Sequence, residues 1–420
     1  MATVRPAPIE DLESLAASQA ADRFADALKQ IFIPDQFSVD FILEVAGRAH
    51  AHSSRLASSR DYQSALYNPP EAEVFPLCLT GLAGVGKSET IKALRRVLPG
   101  PIHAISEHAL SEHLLVSHWY SSARGKAGGR QQLADFLGGS SKLNQAKLLI
   151  ECRRRAIHDG VSALILEELQ HANTGAGTAK VTDLLLTVAN IGVPTYYVAN
   201  YSLVHRLKDR NNEDKQRLLS DPRVMLPEPP DSATWREYIQ ECVAVSNYRI
   251  VVDVEMLTIE LYRWTFGLKR LVVLLLKQAY LEARQAGRYE IQMQDISRAY
   301  LSTSYSVNRA DVGKLQELAI QPRPGKKRLD LICPFEIPMR TNVIAFAKRD
   351  REERYIQKVY ESSRTADERA SAASDTSTNL QTTADQPKRQ KPRPKPTSKE
   401  LAANFTALLD STKKPTNPGE

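Results

Sequence analysis

A chain of 420 residues is long enough for two or three domains and a well-buried core. Its 42% hydrophobic and 25% charged residues, with no apolar run near the roughly 20 that span a bilayer, exclude a membrane protein and point to a soluble one. The net charge of +7 is a moderate basic excess, and its distribution bears on nucleic acid more than its total does.

The N-terminus, MATVRPAPIEDLESLAA, is acidic and polar, unlike a secretory signal. Residues 1–70 read as helical, with apolar positions Leu12, Leu15, Phe24, Leu28 and Ile31 and a second stretch from Phe41 to Ala51. Pro69 and Pro70 close this segment, a helical cap on the next domain or a partner-binding arm. Over 71–230, short apolar strands at Val74–Thr80, Ile102–Ile105, Val161–Leu166, Thr195–Ala199 and Val224–Leu226 alternate with helices. That alternation predicts an α/β fold with a parallel sheet. Residues 231–303 look all-helical, with amphipathic segments Trp235–Val245, Val254–Phe266, Leu268–Ala286 and Met293–Leu301. A basic extension, 304–361, has no fold that its pattern declares, and 362–420 lacks a core pattern and reads as a disordered basic tail. Cys78, Cys152, Cys242 and Cys333 are too far apart for a zinc site or disulfide framework, so a reducing cytoplasm is the simplest home.

The first strand, loop and helix, LCLTGLAGVGKSETIKAL, carry the chemistry. Gly81-x4-Gly86-Lys87-Ser88 fits a P-loop, with Gly84 and Glu89 in the same cradle. Glycines let backbone N–H groups turn toward phosphate oxygens, Lys87 adds a point charge and the Ser88 hydroxyl can ligate magnesium. The apolar strand in VSALILEELQHA ends in Glu167 and Glu168, where one acid can hold the magnesium shell and its neighbour orient an attacking water. Glu167 takes the first role and Glu168 the second. The next strand, PTYYVAN, ends in Asn200, within reach of a γ-phosphate if the strands are adjacent. A nucleoside triphosphate with magnesium is the implied ligand.

Together with arginines before RVMLPEPP and a helical domain carrying FGLKR, these motifs resemble AAA+ ATPases. The runs LEELQHA and ANYSLVHRLKDRNNEDKQRLLSDPRVMLPEPP are most similar to the transposition-regulator branch, the TnsC, TniB and MuB group. The resemblance covers about residues 70–300. It implies a P-loop AAA+ sheet with a C-terminal helical lid, and ATP hydrolysis used as an assembly switch. Lys87 and Ser88 match Walker A, Glu167 and Glu168 Walker B, and Asn200 sensor 1. Arg270 is similar to sensor 2, with Lys269 as rival. Arg223 stands where such proteins present an arginine finger to a neighbour's nucleotide, with Arg206 and Arg217 as alternatives. Family members usually carry Asp where this chain has Glu167, and the extra methylene here can shift the magnesium water shell and slow hydrolysis.

The stretch SHWYSSARGKAGGRQQLA, Ser117–Ala134, has Arg124, Lys126 and Arg130, no acid, and Trp119 beside Tyr120. A mobile basic loop of this kind suits phosphate contacts without sequence readout. Arg153 to Arg155 in CRRRAIHDG suit a helix C-terminus instead. The tail run PKRQKPRPKP is followed by SKELAANFTALLD, which sets Leu401, Phe405, Leu408 and Leu409 on one helical face, a possible docking helix. The leading reading is a bacterial, DNA-associated regulator of transposition and recombination. It would form a ring or helical filament on double-stranded DNA and link target selection to a transposase. An initiator- or clamp-loader-like ATPase and a nucleotide-gated scaffold with little hydrolysis are the alternatives.

Overall fold

In the computed structural model, β1 (Leu77–Gly81), β2 (Ile102–Ile105), β3 (Glu112–Leu115), β4 (His118–Ser122), β5 (Ala163–Glu167), β6 (Thr195–Asn200) and β7 (Pro222–Met225) form two sheets. The larger has the order β4-β5-β6-β1-β7 and is parallel throughout, while β2 and β3 make an antiparallel pair. The structure describes residues 3–58, 62–72, 74–105, 112–123, 128–139, 142–169, 177–321 and 328–363.

Helices α1 (Ala17–Leu28), α2 (Gln36–Ser58) and α3 (Tyr62–Tyr67) precede the sheet. Between its strands run α4 (Lys87–Val97), α5 (Gly129–Phe136), α6 (Gln145–His158), α7 (Gly177–Ala189), α8 (Tyr201–Lys208) and α9 (Asn212–Leu218). A helical group follows: α10 (Ala233–Val245), α11 (Val254–Thr265), α12 (Lys269–Gln285) and α13 (Met293–Leu301). The expected parallel sheet flanked by helices is therefore present, with the helical group after it. The basic extension is helical as well, as α14 (Ser306–Ile320) and α15 (Thr341–Ser363). Two units divide the chain, Met1–Arg354 and Tyr355–Glu420; of the second, the described residues are the last turns of α15. The tail run and the Leu401–Leu409 face lie outside the described residues.

Strands β1 and β5 are buried along their whole length, as a sheet covered by helices on both faces requires. Alternate residues of one strand serve two cores: Leu77 and Leu79 face one shared with α1, α2, α4 and the helical group, and Cys78 faces another shared with α5, α6 and α7. Strand β1 starts at Leu77 instead of Val74 because Pro76 has no N–H for a ladder. Strand β5 begins at Ala163, not Val161, and reaches Glu167. Two strands, β3 and β4, carry no strong apolar signal; β4 is a sheet edge with only Trp119 and Ser121 buried. Among the described residues no helix is long and apolar enough to cross a membrane.

The N-terminal helices are sewn to both halves of the first unit. Helix α1 packs on α12, and in the segment just before α1 the carbonyls of Leu12 and Leu15 accept from Arg284 of α12 at 2.9 and 3.0 Å. Helix α2 packs on α4, and the hydroxyls of Ser38 and Thr90 meet at 3.0 Å.

Candidate nucleotide-binding site

The P-loop leaves the carboxyl end of β1 and enters α4. Gly81 has no room for a side chain, since a Cβ there would lie 2.4 Å from the Met225 carbonyl oxygen on β7. Gly84 has φ +85°, and its Cβ would come within 2.7 Å of the Arg270 Cβ. The loop is thus pressed between β7 and the first turn of α12, where the Arg270 N–H donates to the Gly84 carbonyl at 3.3 Å.

Lys87 Nζ donates to the carbonyls of Gly81 and Leu82, each at 2.8 Å. Burial, and then the Arg270 charge, lower its pKa to about 8. A bound polyphosphate would supply the missing countercharge and restore the proton. Nucleotide affinity is therefore expected to fall as pH rises past about 8, with proton uptake on binding above that pH, measurable by calorimetry in buffers of different ionisation enthalpy. Lys87→Ala is expected to abolish nucleotide binding outright.

Strand order puts Asn200 directly opposite Gly81 on β6, and β5 follows on the far side of β6. The three strand ends open where chain order reverses, the usual ligand crevice of open α/β sheets. The Asn200 Oδ1 caps α8, accepting from the Leu203 N–H and Ser202 hydroxyl at 3.0 Å each, which leaves Nδ2 to donate. Glu167 is buried, and its Oε2 accepts from the Tyr120 hydroxyl at 2.8 Å. Its Oε1 is buried without a hydrogen-bond partner among the described residues. Burial raises the Glu167 pKa, offset in part by Tyr120 and Ser88. Burial and the Glu167 carboxylate in turn raise the Tyr120 hydroxyl to about 12, so it keeps its proton. Glu168 lies in the left-handed region at φ 57°, a strain of about 1–2 kcal/mol for a non-glycine residue, and accepts from the Ser122 hydroxyl at 3.1 Å.

Gly84, Gly86, Lys87, Ser88, Glu89, Glu168 and Asn200 line a cavity of about 410 Å³ on the sheet side, and Glu167 is not in that lining. Arg270, Val273 and Leu274 of α12 line the opposite wall, and Leu28, Ile31 and Phe32 close the end. Lys269 also lines it, but its ammonium donates to the Ile33 carbonyl at 3.4 Å and faces Glu228 at 4.0 Å, so Arg270 is the freer cation of the pair. The N-terminal wall was not read from the sequence; its one signal is the uninterrupted apolar run Ile31-Phe32-Ile33 before Pro34. No group of three or more His, Cys, Asp or Glu among the described residues could hold a metal. The Glu167 carboxylate, with Oε1 unpartnered and the Ser88 hydroxyl close to it, still fits magnesium, which takes few protein ligands and completes its shell with phosphates and water.

None of the three candidate finger arginines lines this cavity. Arg223 donates to Glu44 through Nε at 2.8 Å and Nη2 at 2.6 Å and also pairs with Asp221. Arg48 bridges the same two carboxylates at 2.6 Å each. Arg206 donates to the Ser202 carbonyl at 3.2 Å, and Arg217 pairs with Glu213 at 3.0 Å.

The stretch Ser117–Ala134 is not the open loop expected. Its first part is β4 and its last is α5, because alternation along β4 buries Trp119 against Phe136, ring centroids 5.2 Å apart, and sends Tyr120 to Glu167. Arg124 and Lys126 lie outside the described residues, and Arg130 donates from α5 to the Leu143 carbonyl at 3.2 Å. Arg153, read as a structural cation, is buried and donates to the Asn190 carbonyl at 2.8 Å.

No protein-family model matches the sequence, and no curated protein matches it. Among solved structures, the chain is similar to Aeropyrum pernix ORC2 in its ADPNP-ADP complexes, at 14% identity and TM-score 0.41, over 66% of this chain and 73% of that one. A chain of Drosophila ORC bound to DNA gives 15% identity and TM-score 0.43 over 86% and 88%. The Thermotoga maritima RuvB branch migration motor gives 11% and 0.31 over 66% and 76%. Overlap this slight says nothing of substrate or partner. The chain's own sheet sets the P-loop on β1 and β6 between β1 and β5, with a helical group folded back on the loop.

Proposed function

We propose that the chain is an ATP-dependent, DNA-binding AAA+ regulator of transposition that oligomerises on target DNA and links target selection to a transposase. One observation carries the ATPase part: Lys87, Glu168, Asn200 and Arg270, from four separate stretches of the chain, line one cavity. In this reading residues 71–230 are the ATPase domain and 231–303 the lid. The phosphates lie over the P-loop with Lys87 and Arg270 on their charge, and the base lies against Ile31, Phe32, Val273 and Leu274. Magnesium, held by Ser88 and Glu167, would neutralise phosphate charge in the transition state. Glu168 accepts the proton of the attacking water, and Asn200 Nδ2 donates toward the terminal phosphate. The transposition part rests on the resemblance of two runs, LEELQHA from Leu166 and Ala199–Pro230, the second of which holds the end of β6, α8, α9 and β7.

ATPase assays with and without duplex DNA test the reading. Stimulation by DNA is expected; nucleotide binding without turnover would favour a scaffold. Changing Arg124, Lys126 and Arg130 together to Ala is expected to weaken DNA binding at every sequence and flatten its salt dependence by up to about three contacts' worth of slope. An unchanged slope returns this segment to ordinary surface.

A further inference from the structure

The acid assigned to the metal is one methylene longer than the aspartate usual in the family that the sequence resembles. Free, such a side chain would swing, because each added rotatable bond multiplies the positions its carboxylate can take. Here it does not swing. Tyr120 pairs with Ile165 across β4 and β5, so its ring lies two residues behind Glu167 on the same face of the sheet, and its hydroxyl reaches Oε2 at 2.8 Å. The ring is itself fixed: the Arg95 guanidinium, in the last turn of α4, lies over it with Cζ 3.9 Å from the centroid. The chain of contacts runs from the P-loop helix through Arg95 and Tyr120 to Glu167.

We infer that Tyr120, braced by Arg95, is a positioning residue that engages Oε2 of Glu167 so that Oε1 alone is presented to the metal beside Ser88. The buried, unpartnered Oε1 is the other half of the same arrangement. The hydroxyl does for this glutamate what chain length does for an aspartate. The inference rests on the assignment of Glu167 to the metal.

Tyr120→Phe removes the hydroxyl and keeps the ring. Outer partners of metal ligands typically contribute 10- to 100-fold in metal affinity. The variant is therefore expected to bind Mn2+ in its nucleotide complex about tenfold more weakly, read by electron paramagnetic resonance, with a matching rise in the Mg2+ midpoint of turnover. Binding of a fluorescent ATP analogue in EDTA is expected to be unchanged. Arg95→Gln should move the same midpoints in the same direction by a few-fold, and it carries the test if Tyr120→Phe does not fold. In a Glu167→Asp background the shorter carboxylate falls away from the hydroxyl, so Tyr120→Phe should add little. Equal metal midpoints with and without the hydroxyl, or an equal loss of metal-free nucleotide binding, overturn the inference. A Glu167→Gln variant that keeps full Mn2+ affinity instead overturns the assignment of Glu167 itself, which separates the two failures.

Discussion

Glu168→Gln is expected to bind ATP as well as the parent chain while turning it over about 10²- to 10⁴-fold more slowly, the range that a positioned general base contributes. The side chain lines the cavity from a backbone held at φ 57°, a conformation that the surrounding strand ends sustain at a cost to stability. Glutamine keeps the shape and the contact with Ser122 but cannot accept the water's proton. The measurement is single-turnover hydrolysis beside equilibrium binding of a fluorescent ATP analogue. Normal turnover would remove Glu168 from the water-orienting role and leave Glu89 as the other carboxylate in the lining of this cavity. If binding fell instead, the acid would be acting on the ground state.

The second large effect is expected at the subunit edge. An arginine finger contributes roughly 10³- to 10⁵-fold, so Arg223→Ala should lose nearly all turnover with little change in ATP affinity. Mixed with Lys87→Ala it should recover part of the activity, because one interface then joins an intact pocket to an intact finger. The ion pairs to Glu44 and Asp221 sharpen this prediction. For Arg223 to reach a neighbour's nucleotide it must leave both carboxylates, so Glu44→Gln should make the finger easier to release and speed hydrolysis in the assembled state. If no mixing ratio restores activity while the two proteins fold and co-assemble, the trans role passes to Arg206 or Arg217. If Arg223→Ala lowers thermal stability and leaves turnover alone, the network is structural.

What could be read from residues alone was whatever local chemistry dictates. Gly81 to Ser88 declare a phosphate loop because few other segments place two glycines and a lysine at those steps between strand and helix. The acids at the end of β5 were legible because an apolar run that ends in two carboxylates is an abrupt change of solvent environment. The strand β4 was missed because an edge strand needs only one buried face, and HWYSS offers two inward positions, too few for a period. Mistaking β4 for a loop also hid Tyr120 as a partner of Glu167, since register across a sheet is not written in either strand alone. The wall made by Ile31 and Phe32 was hidden for a similar reason: the contact joins residues more than 200 positions apart, and short-range pattern is silent about such distances.

The two N-terminal helices have different allegiances, and this bears on how a nucleotide is felt. Helix α1 packs on α12 of the helical group, whereas α2 packs on α4 beside the sheet. A rotation of one against the other would fall on the seven residues from Lys29 to Asp35, and Ile31 and Phe32 of that stretch line the candidate cavity. A base seated there would stand at the fulcrum of the motion, where a small displacement swings a long lever. The chain's first sixty residues would then act as a mechanical gauge of the bound nucleotide.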